Sequence, residues 1–123
     1  MRSYWLLIGL LLILNCKNRT KGTLVVGSGE DVEVTLRIED TKNIERIEFS
    51  SGKNFVFIGK KDVLTNNIFI YKFKNRGEGT FKTCVYTNID TICTKSHVEP
   101  GYTPEIILIK DSLIITDAII SYN

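Results

Sequence analysis

The chain has 123 residues, 43% of them hydrophobic, and a formal net charge of +2. That length holds one domain rather than two, and it buries roughly two-thirds of its unfolded surface, so a core can form without structural metals. Near-balanced charge excludes nucleic acid as the main partner, and an ordinary composition with no low-complexity run excludes a repeat or biased-sequence protein.

The first residues differ from the rest. Arg2 precedes an unbroken run of Trp, Leu, Ile and Gly over 5–14, followed closely by Lys17, Arg19 and Lys21. As a helix the run would be about 15 Å long, and a hydrocarbon core is about 30 Å thick. It therefore reads as the h-region of a signal peptide over 1–15. An ordinary signal peptidase needs small residues at −3 and −1. Before Cys16 those positions hold Ile13 and Asn15; a cut after Gly22 would be crowded by the three basic residues. The segment Ile13-Leu14-Asn15-Cys16 resembles the lipobox of bacterial lipoproteins. Ile13 stands where Leu is usual, and Asn15 where Gly, Ala or Ser is usual, which is similar to the relaxed lipobox of spirochaetes. The resemblance implies cleavage before Cys16, acylation of Cys16 (palmitate among the acyl groups) and a tether over 16–22. Lys17 offers no acidic inner-membrane retention signal, so an outer-membrane lipid anchor is expected. The alternative is a secreted or periplasmic protein with an incidental cysteine. Three cysteines are an odd number for an exported chain. With lipid on Cys16, Cys84 and Cys93 remain as one pair, free to close in an oxidising compartment. The Asn18-Arg19-Thr20 sequon matters only in a eukaryotic secretory pathway.

Residues 23–123 read as strands in a single domain. A short apolar strand over 23–26 is broken by Gly27-Ser28-Gly29. Val32, Val34, Leu36 and Ile38 then alternate with Glu33, Thr35, Arg37 and Glu39. That period of two puts four branched apolar side chains on one face. Strands over 44–49 and 55–58 flank the turn signal Ser50-Ser51-Gly52. A strand over 68–73 follows Asn66-Asn67. Strands over 80–86 and 91–95 flank Asn88. Strands over 105–109 and 113–120 flank Asp111-Ser112. About eight short strands predict an all-β fold, an antiparallel sandwich or barrel. With Asn88-Ile89 as a two-residue turn, residue 84 faces 93, 85 faces 92 and 86 faces 91. Directly opposed cysteines at a non-hydrogen-bonded pair can bridge. Ile89 suits a primed turn poorly, which points to a longer loop.

Gly29-Glu30-Asp31-Val32 before an alternating strand is similar to the start of strand B in immunoglobulin-like domains. Gly79-Thr80-Phe81 before a cysteine-bearing strand resembles the approach to strand F, and Phe49 falls near the position of the core Trp. The resemblance covers about 23–95 and implies an immunoglobulin-like β-sandwich. Leu36 stands where the strand-B cysteine would be, so no inter-sheet disulfide is implied. Phe81 replaces the corner Tyr, and 96–123 carry two further strands.

The residues offer no catalytic constellation. His97 is the only histidine, and Ser96 beside it points to the opposite face of a strand. Glu30-Asp31 and Glu39-Asp40 are acidic pairs at strand ends and read as solvated turns; no metal cluster and no cofactor is expected. Gly27-Ser28-Gly29 leads into a strand rather than a helix, so it is a turn and not a phosphate loop. Lys72 and Lys74 lie on one face of their strand, and Lys82 and Lys95 share the face of Cys84 and Cys93. If these strands adjoin, the four form one basic face near Tyr86, suited to anionic lipid headgroups, an anionic (sulfated) glycan or an acidic protein. The plainer role is to guard solvent-facing strands against aggregation. The sequence thus predicts a non-enzymatic, lipid-anchored envelope protein that binds or organises. The alternative is a small periplasmic inhibitor of a lysozyme or protease, working through loop 88–90 or 98–104.

Overall fold

The computed structural model describes residues 21–39, 43–75, 77 and 79–116, and the backbone of 119–120. The signal peptide and Cys16 lie outside the described residues. Among the described residues, eleven strands and one short helix follow in chain order: β1 (Gly22–Val26), β2 (Val32–Ile38), β3 (Ile44–Ser51), β4 (Asn54–Ile58), α1 (Lys60–Thr65), β5 (Asn66–Phe73), β6 (Gly79–Thr87), β7 (Thr91–Val98), β8 (Tyr102–Thr103), β9 (Glu105–Ile109), β10 (Ser112–Ile115) and β11 (Ile119–Ile120). They form a five-stranded sheet in the order β1-β5-β2-β9-β10, a four-stranded sheet in the order β4-β3-β6-β7, and a small β8-β11 pair.

The two larger sheets pack face to face, and alternation decides which side chains meet. Val32, Val34 and Leu36 of β2, Phe69, Tyr71 and Phe73 of β5, and Ile106 and Leu108 of β9 face Ile47 and Phe49 of β3 and Phe81 and Val85 of β6 across one core. Phe49 bridges the layers. Its ring stacks on Tyr71 at 5.4 Å, and Tyr71 stacks in turn on Phe73 at 4.9 Å. Each fully buried ring contributes roughly 1.5–3 kcal/mol, and a one-residue slip would turn the whole set to solvent, so the register is fixed by burial.

The expected sandwich is present, with three differences. First, it is not purely antiparallel: β1 runs parallel to β5, and β9 runs parallel to β2. Second, residues 44–51 form one strand, and the turn falls on Gly52 and Lys53, with Ser51 opposite Asn54. Third, a helix of six residues links the sheets. The hairpin β9–β10 completes the five-stranded sheet by laying β9 beside β2, so it is not a separate unit.

The β6–β7 hairpin has the expected register: Cys84 faces Cys93, Val85 faces Ile92 and Tyr86 faces Thr91. Its loop is the short one, and it avoids the primed-turn problem. Neither Asn88 nor Ile89 has a positive φ. Instead the Thr87 hydroxyl accepts from the amides of Ile89 and Asp90 and donates to the Asp90 carbonyl, at 3.4, 3.0 and 3.1 Å. A side-chain oxygen takes over the turn's bonding, so glycine is not required.

Candidate binding face

The outer face of the four-stranded sheet gathers the most chemically distinctive exposed groups. Register lays them out in rows. Phe57 of β4 lies beside Glu48 of β3, which lies beside Cys84 of β6, which lies beside Cys93 of β7. One row over, Phe55, Ser50, Lys82 and Lys95 follow one another across the same four strands. Cys84 and Cys93 are joined in a disulfide with a Cα–Cα distance of 4.1 Å, the spacing of the closer antiparallel pair type. The bridge therefore lies on the outside of one sheet and staples a hairpin; it does not cross the core.

Beside it, Arg46 lies over the ring of Tyr86, 4.0 Å from the centroid. The Tyr86 hydroxyl donates to Glu48 Oε2 at 2.7 Å, and Arg46 Nε lies 3.5 Å from Glu48 Oε1. This cation–aromatic–carboxylate set satisfies its own charges and holds the centre of the face rigid.

The edge of the face is apolar. Phe55 and Phe57 are 61% and 55% exposed, on a strand whose inward side chains Val56 and Ile58 join the core. Both rings project to the same side of β4, about 7 Å apart along the strand. Lysines surround them: Lys53 in the preceding turn, Lys60 and Lys61 in α1, and Lys82 across the sheet. Lys60 Nζ is 3.4 Å from Glu45 Oε1. Among the described residues, Lys53, Lys61, Lys82 and Lys95 have no ion-pair partner.

The helix α1 carries two of these lysines because the chain must cross from one sheet to the other. Val63 is its one buried residue, and the Val63 amide donates to the Gly59 carbonyl at 3.2 Å. At its end Asn66 Nδ2 donates to the Asp62 carbonyl at 2.8 Å.

The four lysines singled out from the sequence do not form one face. That arrangement needs β5 beside β6, but β5 pairs with β1 and β2, and β6 pairs with β3 and β7. Lys82 and Lys95 are directly opposed on the outer face described above. Lys72 lies on the opposite side of the sandwich, facing Glu33, with Lys74 just beyond the end of β5. Alternation told which side of its strand each lysine takes; it could not tell which strands adjoin. The exposed pair Phe55 and Phe57 was missed. Its signal was a strand with Phe at both outward positions and lysines at either end.

The remaining candidates are placed as follows. His97 is on the surface of β7, its Nε2 3.1 Å from Glu99 Oε1 and its ring edge-on to Tyr102. Asp31 has a structural role: its carboxylate accepts from the Asn75 amide at 2.9 Å and its carbonyl from Gly101. Loop 98–104 is therefore tied to the fold, with Val98 and Pro104 buried. Loop 88–90 does project, and Ile89 is 89% exposed at its tip. It borders a cleft of about 450 Å³ lined by Asn43, Thr87, Asn88, Asp90, Ile92 and Asp111. Among the described residues no group of three His, Cys, Asp or Glu side chains is placed to hold a metal ion, and no helix is long and apolar enough to cross a membrane. No family model, curated protein or solved structure matches the chain.

Proposed function

We propose that this is an exported protein, lipid-anchored at Cys16 in the cell envelope, most simply the outer membrane, that acts by binding rather than by catalysis. The observation that carries the reading is the Cys84–Cys93 bridge. It accounts for two of three cysteines and leaves over the one that directly follows the signal-like run. A disulfide also favours an oxidising compartment. The exposed residues support binding: phenylalanines, lysines and a self-neutralised Arg–Tyr–Glu centre suit recognition, and none is poised as nucleophile or base. The test is metabolic labelling with palmitate. Label should enter the protein and be lost in Cys16→Ser. Label that persists in that variant removes the anchor.

One observation favours the second reading, a periplasmic inhibitor of a lysozyme or protease. The 88–90 loop projects from a hairpin stapled by the disulfide, with Ile89 bare at its tip. A rigid loop loses little entropy on entering an active-site cleft. Inhibition of a lysozyme or protease by the native chain, lost on Ile89→Asp, would establish it.

A further inference from the structure

We infer that the β3–β4 hairpin and helix α1 form a membrane-contact patch, with Phe55 and Phe57 entering the headgroup region of an anionic bilayer and the surrounding lysines meeting its phosphates. The inference deepens the proposed function by naming the partner of the face.

Three observations carry it. The first is composition. Two large rings, 61% and 55% exposed on one side of an edge strand, are flanked along the chain by Lys53, Lys60 and Lys61 and across the sheet by Lys82 and Lys95. Aromatic rings partition into the membrane interface, and nearby basic side chains add attraction to anionic lipid.

The second is charge distribution. The opposite outer face carries Glu33, Arg37, Lys72 and Glu105, and Arg37 lies 3.1 Å from Glu105 and 3.8 Å from Glu39. There Arg37 is paired with carboxylates and Lys72 stands opposite Glu33 in register. The patch instead gathers Lys53, Lys61, Lys82 and Lys95, none with an ion-pair partner among the described residues, so an anionic surface would orient the molecule with β4 towards it.

The third is where the chain enters the domain. Gly22 begins β1 opposite Asn66, at the end of α1. A Cβ on Gly22 would lie 2.7 Å from Asn66 Oδ1 and 3.5 Å from the Thr65 carbonyl oxygen. The helix of six residues is about 9 Å long, so the entry point lies close to the patch. From Cys16 to Gly22 the chain reaches at most about 20 Å. A lipid on Cys16 would hold the domain with this side within reach of the bilayer.

A second copy of the chain fits less well. Antiparallel pairing of two β4 strands about Val56 would oppose Phe55 and Phe57, but it would also bring Lys53 of each copy alongside Lys60 of the other.

The test is amide hydrogen exchange of the full chain with added vesicles, read on peptides covering 52–64. Vesicles of phosphatidylcholine mixed in equal parts with phosphatidylglycerol should slow exchange there by about tenfold or more, and pure phosphatidylcholine vesicles should not. Raising salt to about 1 M should weaken the effect, since the Debye length falls to about 3 Å. Phe55→Ser with Phe57→Ser should abolish it while core amides of β2 and β6 stay protected, which shows that the variant is folded. Equal protection on both vesicle types, or none on either, overturns the inference. So does protection by a sulfated oligosaccharide but not by vesicles, which would assign a glycan. Protection that grows with protein concentration alone would assign a second copy and overturn it too. Because the vesicles are supplied and the readout is local, failure of palmitate labelling and failure of this patch are separate results.

Discussion

Tyr71 is enclosed between Phe49 and Phe73, and its hydroxyl is buried without a hydrogen-bond partner among the described residues. A buried, unpaired hydroxyl loses its water and gains nothing in return. Tyr71→Phe should therefore raise stability, by about 1 kcal/mol, measured as a shift in the denaturant midpoint. Burial also raises the phenol pKa above its ordinary 10.0. Above that pH the unfolded chain has released this proton while the folded chain keeps it, so stability should fall as pH rises past 10; below it the contribution is constant. In Tyr71→Phe the fall should be shallower than in the native chain. An unchanged slope would mean that Tyr71 ionises as freely folded as unfolded. Glycine positions make a second residue-scale contrast. Gly27 has φ 79°, and a Cβ there would collide with the Lys72 carbonyl and the Tyr71 ring. Gly52 has φ 56° with nothing near. Gly52→Ala should cost about 1–2 kcal/mol for the left-handed backbone alone, and Gly27→Ala clearly more. Equal costs in thermal melts would show that the close approach is not real.

At the scale of elements, the β6–β7 hairpin was the most legible part of the chain. A cysteine pair nine residues apart, spanning Asn88, fixes a register by arithmetic, and the structure has that register. Only the turn chemistry was hidden, because a hydroxyl one residue before the turn supplied what the turn residues lacked. Helix α1 was illegible for a physical reason. Six residues make under two turns, and with Val63 alone buried they show no 3.6-residue period. The strand 32–38 was readable because both of its neighbours leave one face to the core and one to water. Since the bridge lies outside the core, its removal should act mainly through the unfolded chain. Cys84→Ala with Cys93→Ala should cost about 2–3 kcal/mol for a loop of this length, with the hairpin register kept. Chemical denaturation measures the cost, and exchange protection across β6 and β7 reports the register. A loss of that protection would mean the staple, rather than the packed rings, sets the pairing.

At the scale of the whole molecule, local pattern runs out. Two sheets follow from the number of alternating strands, but strand order does not. The parallel neighbours of β5 and β2 come from far along the chain, and nothing in 22–26 or 105–109 announces them. The basic face was misassembled for the same reason, since its strands belong to opposite layers. The corrected arrangement separates the lysines by consequence. Lys72→Glu with Lys74→Glu should leave vesicle-dependent protection of 52–64 unchanged, and Lys82→Glu with Lys95→Glu should reduce it severalfold. Equal reductions would mean that charge acts only in sum over the molecule, without orientation. The nearness of Gly22 to the end of α1 has a further consequence, for affinity. A short tether holds its cargo at an effective concentration in the millimolar range. A patch that binds free bilayers only at millimolar strength would then be docked about half the time on an anchored molecule, and a single exposed ring could decide whether the domain lies down on its membrane or stands away from it.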